Sequence, residues 1–245
     1  MRWWETLARA LGAARSAVVA DRHDARPARW TARAVAGAAR QAKVDAFTAL
    51  AEDGHVPMRP ERVLAALNRL LPLDSIVVAD PGTPCPYVSA HYQLRGAGRR
   101  FLTNRAHGAL GYSMAAAMGA WFADPRQTCV SIMGDGSFGF AVGELETVVR
   151  YKVPLRMIVL ANATYGWIKA SQKASYGGRY FSVDFSRTDH ARVAEAYGVK
   201  AWRAHDGETL DAALRASLEH DGPTLVDVSV QSLEDAAAPV LQWMG

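Results

Sequence analysis

IMGDGSFGF, residues 132–140, is the stretch from which the fold of this chain is best predicted. The apolar run that leads into it, residues 128–133, indicates a buried parallel strand, and an amphipathic helix is predicted from about 142 to 151. Two glycines between strand and helix leave backbone N–H groups free to face an anion, and the helix dipole adds to that attraction. The pattern predicts a phosphate-binding loop.

An acidic residue inside this loop indicates a metal ion. Asp135 would repel a phosphate unless a divalent cation lay between them, so a second oxygen ligand is expected on a neighbouring strand end. The next apolar run, residues 155–160, is followed by Asn162, which lies 27 residues after Asp135. That separation fits one helix and one strand. Asp135 and Asn162 are therefore the predicted metal pair.

The rest of the chain alternates apolar runs with helical patterns. This alternation predicts an α/β fold, a doubly wound parallel sheet with helices on both faces. A polar segment with two adjacent glycines, residues 169–184, is predicted to be a loop that either closes over the site or becomes ordered against a partner. The predicted strands are 75–79, 100–103, 128–133, 155–160, 199–203 and 224–230, and the other predicted helices start at 60 and cover 112–122, 185–197 and 209–220.

Residues 1–54 are predicted to form a helical arm and linker, and residues 55–245 the α/β domain. The arm is rich in Ala and Arg, with apolar residues at helical spacing and a loop near 21–28. Two interpretations stay open for it. It is similar to the last helices of a preceding domain in longer relatives, or it packs on its own domain.

Composition excludes several classes of protein. The chain has 245 residues, half of them hydrophobic, which is enough for a full core. No apolar run reaches the ~20 residues that span a bilayer, and the start lacks the apolar core of a secretory signal. A cytoplasmic protein is expected. Cys85 and Cys129 are too few for a disulfide framework, and the net charge of +4 comes from dispersed arginines, which disfavours nucleic-acid binding.

Gly134-Asp135-Gly136-Ser137, followed by Asn162 at a strand end, resembles the thiamine diphosphate and magnesium motif of the acetolactate synthase and pyruvate decarboxylase family. A bare GDGS would be weak evidence, but here the glycines, ligands, spacing and strand-helix-strand context agree. The resemblance covers about residues 60–245. It corresponds to the diphosphate-binding (PP) module that forms the C-terminal part of those enzymes.

The resemblance implies a set of cofactor ligands. Magnesium would be held by Asp135, Asn162 and the backbone carbonyl of Thr164, and two phosphate oxygens and one water would complete roughly six oxygen ligands. The diphosphate would be bound by Gly134, Gly136, Ser137 and the N–H groups of Tyr165 and Gly166. This is the expected metal and diphosphate end of the site.

Three residues near the first two strand ends are assigned by the same resemblance. Relatives often place Gln or His after the first strand to reach the diphosphate; here Thr83-Pro84 stand there, which leaves Thr83 as the candidate. The Gly108 carbonyl would accept a hydrogen bond from the 4'-amino group of the pyrimidine ring. Leu110 would be the apolar wedge that holds the cofactor in its V shape, or it is an ordinary core leucine.

His107 and Trp167 are the candidates for contact with the substrate. An imidazole titrates near neutrality and would hold a substrate carboxylate or relay a proton, although a loop histidine also serves as a structural surface residue. Trp167 and its neighbour Ile168 stand where relatives line the substrate pocket. The alternative for Trp167 is a partly buried interface aromatic.

The resemblance also implies a missing partner. In this family a glutamate from a separate pyrimidine-binding (PYR) module activates the cofactor, and this sequence has no second α/β domain to supply it. The expected protein is the PP-module subunit of a split 2-oxo acid decarboxylase and carboligase of the acetolactate synthase type, assembled with PYR-module chains as a heterotetramer. The alternatives are a subunit of a sulfopyruvate- or phosphonopyruvate-type decarboxylase, and a non-catalytic cofactor-binding subunit. A nicotinamide-binding domain is disfavoured, because residues 80–84 (DPGTP) lack GxGxxG.

Overall fold

Six parallel strands form the centre of the molecule in the computed structural model, which describes residues 29–98, 100–105, 107–233 and 235. The strands are β1 (Ile76–Ala79), β2 (Phe101–Leu102), β3 (Cys129–Gly134), β4 (Arg156–Ala161), β5 (Lys200–Ala204) and β6 (Thr224–Ser229). They pair in the order β2-β1-β3-β4-β6-β5. The predicted α/β fold with a parallel sheet is confirmed.

The helices follow the strands in alternation. They are α1 (Arg29–Ala51), α2 (Pro60–Leu70), α3 (Pro84–His91), α4 (Tyr112–Ala123), α5 (Asp135–Ala141), α6 (Glu144–Arg150), α7 (Gly166–Ser175), α8 (His190–Ala196) and α9 (Gly207–Glu219). Helix α2 packs with α3 and α9, whereas α4 packs with α6. The connections that lead into β2 and β6 run in one direction across the sheet, and those that lead into β3, β4 and β5 run in the other. Right-handed crossovers therefore place the two sets of helices on opposite faces of the sheet.

The chain divides into two compact units after Leu50. The described part of the first unit is helical and belongs to α1, which ends at Ala51. The predicted first helix of the arm and its loop lie outside the described residues. Among the helices that the structure describes, none is long and apolar enough to cross a membrane.

The register of the sheet brings the strand ends together at one edge. Ala79 is paired with Ile132, Gly134 with Leu160, and Ala161 with Ser229. The central strand β3 is buried from its first residue to Met133, in keeping with a sequence that is apolar there except for Ser131. Residues that follow β1, β3 and β4 therefore share the carboxyl edge, where ligands bind in open α/β sheets.

The helix that follows β3 begins earlier than the sequence predicts. Gly134 is still extended, with φ −79° and ψ 164°, and α5 starts at Asp135 rather than near residue 142. The helix predicted from about 142 to 151 is found as α6, Glu144–Arg150. The predicted loop is instead the first turn of the additional helix α5. The backbone N–H groups of that turn still lack partners one turn earlier in the helix.

Two further helix boundaries differ from prediction. Residues 169–175, predicted as loop, belong to α7, so that the loop is shorter and begins at Tyr176. The helix predicted from residue 185 begins at His190, because the Asp189 side chain accepts a hydrogen bond from the Arg192 N–H and caps it. The segment between these helices crosses back over the turn after β4.

Candidate functional site

Asp135 joins the ends of β3 and β4. Its Oδ1 accepts a hydrogen bond from the Gly136 N–H at 2.8 Å, and its Oδ2 accepts from the N–H groups of Asn162 at 2.8 Å and Ala163 at 2.6 Å. A carboxylate offers about four lone-pair positions, so roughly one position stays open on Oδ1. The predicted pair, Asp135 and Asn162, is thus in direct contact through the backbone of Asn162.

The environment of Asp135 suits a cation. The side chain is buried, and this burial raises the pKa of its carboxyl above the ordinary value, although the three backbone donors oppose the rise. A bound divalent ion would favour the ionised form and reverse this shift. Magnesium typically uses one or two carboxylates together with phosphate oxygens and water. Among the described residues, no group of three or more His, Cys, Asp or Glu could hold a metal ion.

The side chain of Asn162 has an unused donor. Its Oδ1 accepts a hydrogen bond from the Thr164 N–H at 3.3 Å, while its Nδ2 is buried without a hydrogen-bond partner among the described residues. A buried donor without an acceptor costs about 1–3 kcal/mol. A phosphate oxygen would supply the missing acceptor, so the amide fits a diphosphate next to the proposed metal.

The turn after β4, residues 162–165, differs in one respect from what the resemblance implies. The Tyr165 N–H donates to the Val183 carbonyl at 2.8 Å, and the Gly166 N–H donates to the Thr164 carbonyl at 2.9 Å. Both N–H groups were expected to face a diphosphate. Tyr165 is instead bonded to the segment 183–185 that crosses over this turn, whereas the Gly166 N–H is bonded within the turn itself. The Thr164 carbonyl keeps a second lone pair for a metal.

Two glycines allow the site to close tightly. A Cβ on Gly136 would lie 2.5 Å from Cε1 of Tyr165, and a Cβ on Gly166 would lie 2.9 Å from Oγ1 of Thr83. Thr83, the candidate after β1, is buried, and its hydroxyl lies against Gly166 at the start of α7. These close approaches form a narrow cradle that requires glycine, as expected for backbone that approaches a ligand.

The predicted pyrimidine segment, residues 107–110, lies on the β2 side of the same edge. Gly108 has φ +71°, and Leu110 Cδ2 would lie 3.8 Å from a Cβ placed on Gly82. Leu110 therefore contacts the turn after β1. His107 is exposed, and its backbone N–H donates to the Asn104 carbonyl at 3.3 Å. Gly134 ends β3, and Ser137 lies buried in the first turn of α5.

Asp80 is a site residue that sequence reasoning missed. It is fully buried; its Oδ1 accepts from the Ser113 N–H at 3.0 Å and its Oδ2 from the Ser113 hydroxyl at 3.1 Å. The Ser131 hydroxyl in turn donates to Ser113 Oγ at 2.9 Å. Asp80 thus fastens the end of β1 to the start of α4, directly after the pyrimidine segment. An acid that ends a buried strand was the signal available in the sequence.

Burial also changes the ionisation of Asp80. Desolvation raises the pKa of its carboxyl to about 6, and the donors at the start of α4 oppose that rise. The carboxylate is favoured by these donors but disfavoured by the absence of water. Its protonation state therefore changes near neutrality.

A groove of about 560 Å³ opens beside Asp135. Its walls include Phe138 and Phe140 from α5 and Val193 from α8, and its buried polar residues include Asp135 and His190. The His190 Nδ1 lies 3.2 Å from both carboxylate oxygens of Asp227 on β6. This pair has no counterpart in the sequence prediction, because residues 37 positions apart give no local signal.

Trp167, at the start of α7, is half-buried and stacks with an arginine. The Arg105 guanidinium carbon lies 5.1 Å from the centroid of its ring. Arg105 lies two residues before the pyrimidine segment, so this contact joins the chain after β2 to the start of α7. Ile168 is exposed.

A profile of known sequences described as "Thiamine pyrophosphate enzyme, C-terminal TPP binding domain" matches residues 80–228, which is more than half of the chain. The match includes Asp80, Asp135 and Asn162. The chain belongs to this family of thiamine pyrophosphate enzymes. The family predicted from the GDGS and Asn162 pattern is thereby confirmed, as is a thiamine diphosphate binding domain.

Individual relatives agree with this membership. The chain is 34% identical over 186 residues to benzoylformate decarboxylase of Pseudomonas aeruginosa, which covers 76% of this chain and 35% of the relative. It is 30% identical over 178 residues to the acetolactate synthase large subunit of Pyropia yezoensis, covering 72% and 30%. The chain thus spans about a third of the length of the curated relatives that it matches.

A solved structure shows the same fold. The thiamine diphosphate-dependent 4-hydroxybenzoylformate decarboxylase of Rhodococcus jostii RHA1 superposes with a TM-score of 0.68 and 27% identity, over 74% of this chain and 34% of that one. The sheet and helices described above are therefore those of a thiamine pyrophosphate enzyme.

Gly166→Ala is expected to fill the narrow space between the start of α7 and Thr83. The added methyl would meet Thr83 Oγ1 at 2.9 Å and Leu233 Cβ at 3.2 Å, so we expect destabilisation of about 1–3 kcal/mol and tenfold or greater loss of thiamine diphosphate affinity. Urea unfolding and calorimetric titration measure the two effects. Gly119→Ala in α4, where a Cβ meets nothing within 4 Å, is the matched control and should leave affinity unchanged. Equal behaviour of the two variants would contradict a tight cradle.

Proposed function

We propose that this chain is the PP-module subunit of a split thiamine diphosphate-dependent 2-oxo acid decarboxylase and carboligase of the acetolactate synthase type. The observation that carries the proposal is the contact between Asp135 and the turn after β4. It places a carboxylate with an open lone pair next to an amide whose Nδ2 lacks an acceptor. A magnesium diphosphate supplies both missing partners.

Each end of the cofactor has candidate residues in this chain. Asp135, Asn162 and the Thr164 carbonyl would hold magnesium, and the first turn of α5 with Gly136 and Ser137 would orient the diphosphate. The Gly108 carbonyl and Leu110 would position the pyrimidine end. When bound, thiamine diphosphate supplies an electron sink for the electron pair that is released as carbon dioxide leaves a 2-oxo acid. His107 and Trp167 stand where they would contact that acid.

A partner chain completes the proposed site. The glutamates after the metal residue, Glu144 and Glu146, are exposed on α6, and Glu146 pairs with Arg150 at 3.0 Å, so neither is held in the cleft. This chain matches only 35% and 30% of the length of the two relatives named above, which leaves room in them for a PYR module. We propose that a separate chain provides this module and its glutamate, in a heterotetramer.

A simple decarboxylase is the second candidate. The relatives named benzoylformate decarboxylase and 4-hydroxybenzoylformate decarboxylase favour release of carbon dioxide without joining of a second substrate. A decarboxylase of the sulfopyruvate or phosphonopyruvate type belongs to the same class. A non-catalytic cofactor-binding subunit would retain the Asp135 contacts without turnover.

Co-expression tests these alternatives. The chain is produced with the product of the neighbouring open reading frame, co-purification is assessed, and calorimetry with thiamine diphosphate and magnesium is followed by carbon dioxide release from a panel of 2-oxo acids. Binding with carbon dioxide release supports the proposal, and product analysis separates aldehydes from carboligation products. Binding without turnover indicates the non-catalytic subunit. Absence of cofactor binding, both alone and with the partner, would overturn the main proposal.

A further inference from the structure

Arg105 and Trp167 make a contact that crosses the cleft. The guanidinium carbon lies 5.1 Å from the indole centroid, within the ~6 Å range of a cation–π interaction. Arg105 follows β2, whereas Trp167 follows β4, and β1 and β3 lie between those strands. With about 4.8 Å between neighbouring strands, the two starting points are roughly 14 Å apart. The stacked pair therefore lies over the ends of β1 and β3, where Asp80 and Asp135 are found.

The charge of Arg105 is available to a ligand. Its side chain is exposed, and it takes part in none of the ion pairs formed among the described residues. The Arg105 guanidinium carries five N–H donors in a planar fork, and its described contact is with the Trp167 ring rather than with an acid. That planar fork matches carboxylate, sulfonate and phosphonate oxygens. An anion bound there would lie at the mouth of the cleft.

The chemistry of decarboxylation indicates which acidic group of a 2-oxo acid Arg105 could bind without slowing the reaction. The carboxylate of a 2-oxo acid loses its charge as carbon dioxide departs. A cation bound to that group would stabilise the ground state more than the transition state and slow the reaction. A second acidic group keeps its charge throughout, so an arginine bound to it holds the substrate without opposing the reaction.

We propose that Arg105, oriented by Trp167, binds this second acidic group, and that the substrate is a 2-oxo acid with an additional carboxylate, sulfonate or phosphonate. Arg105 is thereby a specificity-determining residue. This inference rests on the proposed function for the reaction itself, but the anion site belongs to this chain's own side chains.

Matched substrate pairs test the inference in the assembled enzyme. The kcat/KM for carbon dioxide release is measured for 2-oxoglutarate against 2-oxopentanoate, and for 3-sulfopyruvate and 3-phosphonopyruvate against 2-oxobutanoate. The wild type is expected to prefer at least one dianion. Arg105→Gln is expected to lower kcat/KM for that dianion about 10- to 100-fold and for the monoanions less than about threefold. Comparison of the three dianions shows whether the preferred acidic group is a carboxylate, a sulfonate or a phosphonate.

Arg150→Gln is the matched control. The Arg150 guanidinium carbon lies 5.0 Å from the centroid of the Tyr151 ring, but this stack is at the end of α6 before β4 begins, away from the carboxyl edge. The control should leave the preference unchanged. A wild type that prefers monoanions, or a preference that survives Arg105→Gln, would overturn the inference.

Failure of the proposed function has a different signature. In that case the wild type releases no carbon dioxide from any acid and binds no thiamine diphosphate. Calorimetric titration of the chain with 2-oxoglutarate then decides the anion site independently of turnover: weaker binding by Arg105→Gln than by Arg150→Gln supports it, and equal binding contradicts it.

Discussion

Asp135→Asn is expected to weaken magnesium-dependent binding of thiamine diphosphate by at least about 100-fold, because it removes the only carboxylate proposed as a metal ligand. The amide has nearly the same shape but carries no charge. It also turns an NH2 group towards backbone donors at 2.6–2.8 Å, where Asp135 now accepts their hydrogen bonds. Calorimetric titration with magnesium and thiamine diphosphate measures the loss. Asp135→Ala should abolish binding.

The fold must be checked separately in these variants, since the lost backbone contacts cost about 1–3 kcal/mol of stability. Circular dichroism and urea unfolding provide that check. Asp184→Asn is the control: its side chain is 60% exposed and pairs with Lys169 at 2.8 Å, although Asp184 also lies beside the turn after β4. Binding retained by Asp135→Asn, or lost equally in Asp184→Asn, would refute the role of Asp135.

The free energy of unfolding is expected to decrease as pH rises from about 4 to about 6, because of Asp80. Its folded-state pKa of about 6 lies above the ordinary value of 3.8, so the unfolded chain releases this proton at a lower pH than the folded chain does. Below about pH 4 the carboxyl is protonated in both the folded and the unfolded chain, so Asp80 ionisation no longer affects the free energy of unfolding. As pH rises through 6 the folded state must hold a buried carboxylate, at a cost of about 3 kcal/mol.

The measurement compares wild type with Asp80→Asn by urea unfolding at pH 4.5, 5.5, 6.5 and 7.5. Other titrating groups are common to both proteins and cancel in the difference. The unfolding free energy of the wild type should decrease relative to the variant as pH rises, and the difference should be constant above about pH 7. Ser131→Ala, which removes a hydroxyl at the far end of the same hydrogen-bond chain, should keep the wild-type pH dependence. Parallel curves for wild type and Asp80→Asn would show that the Asp80 pKa is not raised.

Much of this molecule follows from local pattern. Largely apolar runs such as residues 128–133 predicted strands that are found within one or two residues, because a strand buried on both faces is made mostly of apolar side chains. Asp135 and Asn162 were predicted together because residues that end neighbouring parallel strands meet at one edge. The chemistry of an acid beside a phosphate loop then indicated a metal, and the family profile agrees with the motif.

Other features depended on contacts between distant residues. Helix α5 starts at Asp135, where local pattern placed a loop, and α7 covers polar residues that resemble a loop in sequence. Tyr165 and Gly166 were predicted to offer free N–H groups, but residues 183–185 cross the turn and bond the Tyr165 N–H. Hydrogen bonds of this kind carry no periodic signal in the sequence.

The local order of apolar, glycine and acidic residues was therefore enough to predict the strands, the cofactor family and the Asp135/Asn162 pair. Each of these depends on a few adjacent positions and on the rule that the ends of parallel strands share an edge. Asp80 bonded to Ser113, His190 to Asp227 and Arg105 stacked on Trp167 join residues 33 to 62 positions apart. Only the packed sheet brings these side chains together, because burial and long-range register, rather than local propensity, select their partners.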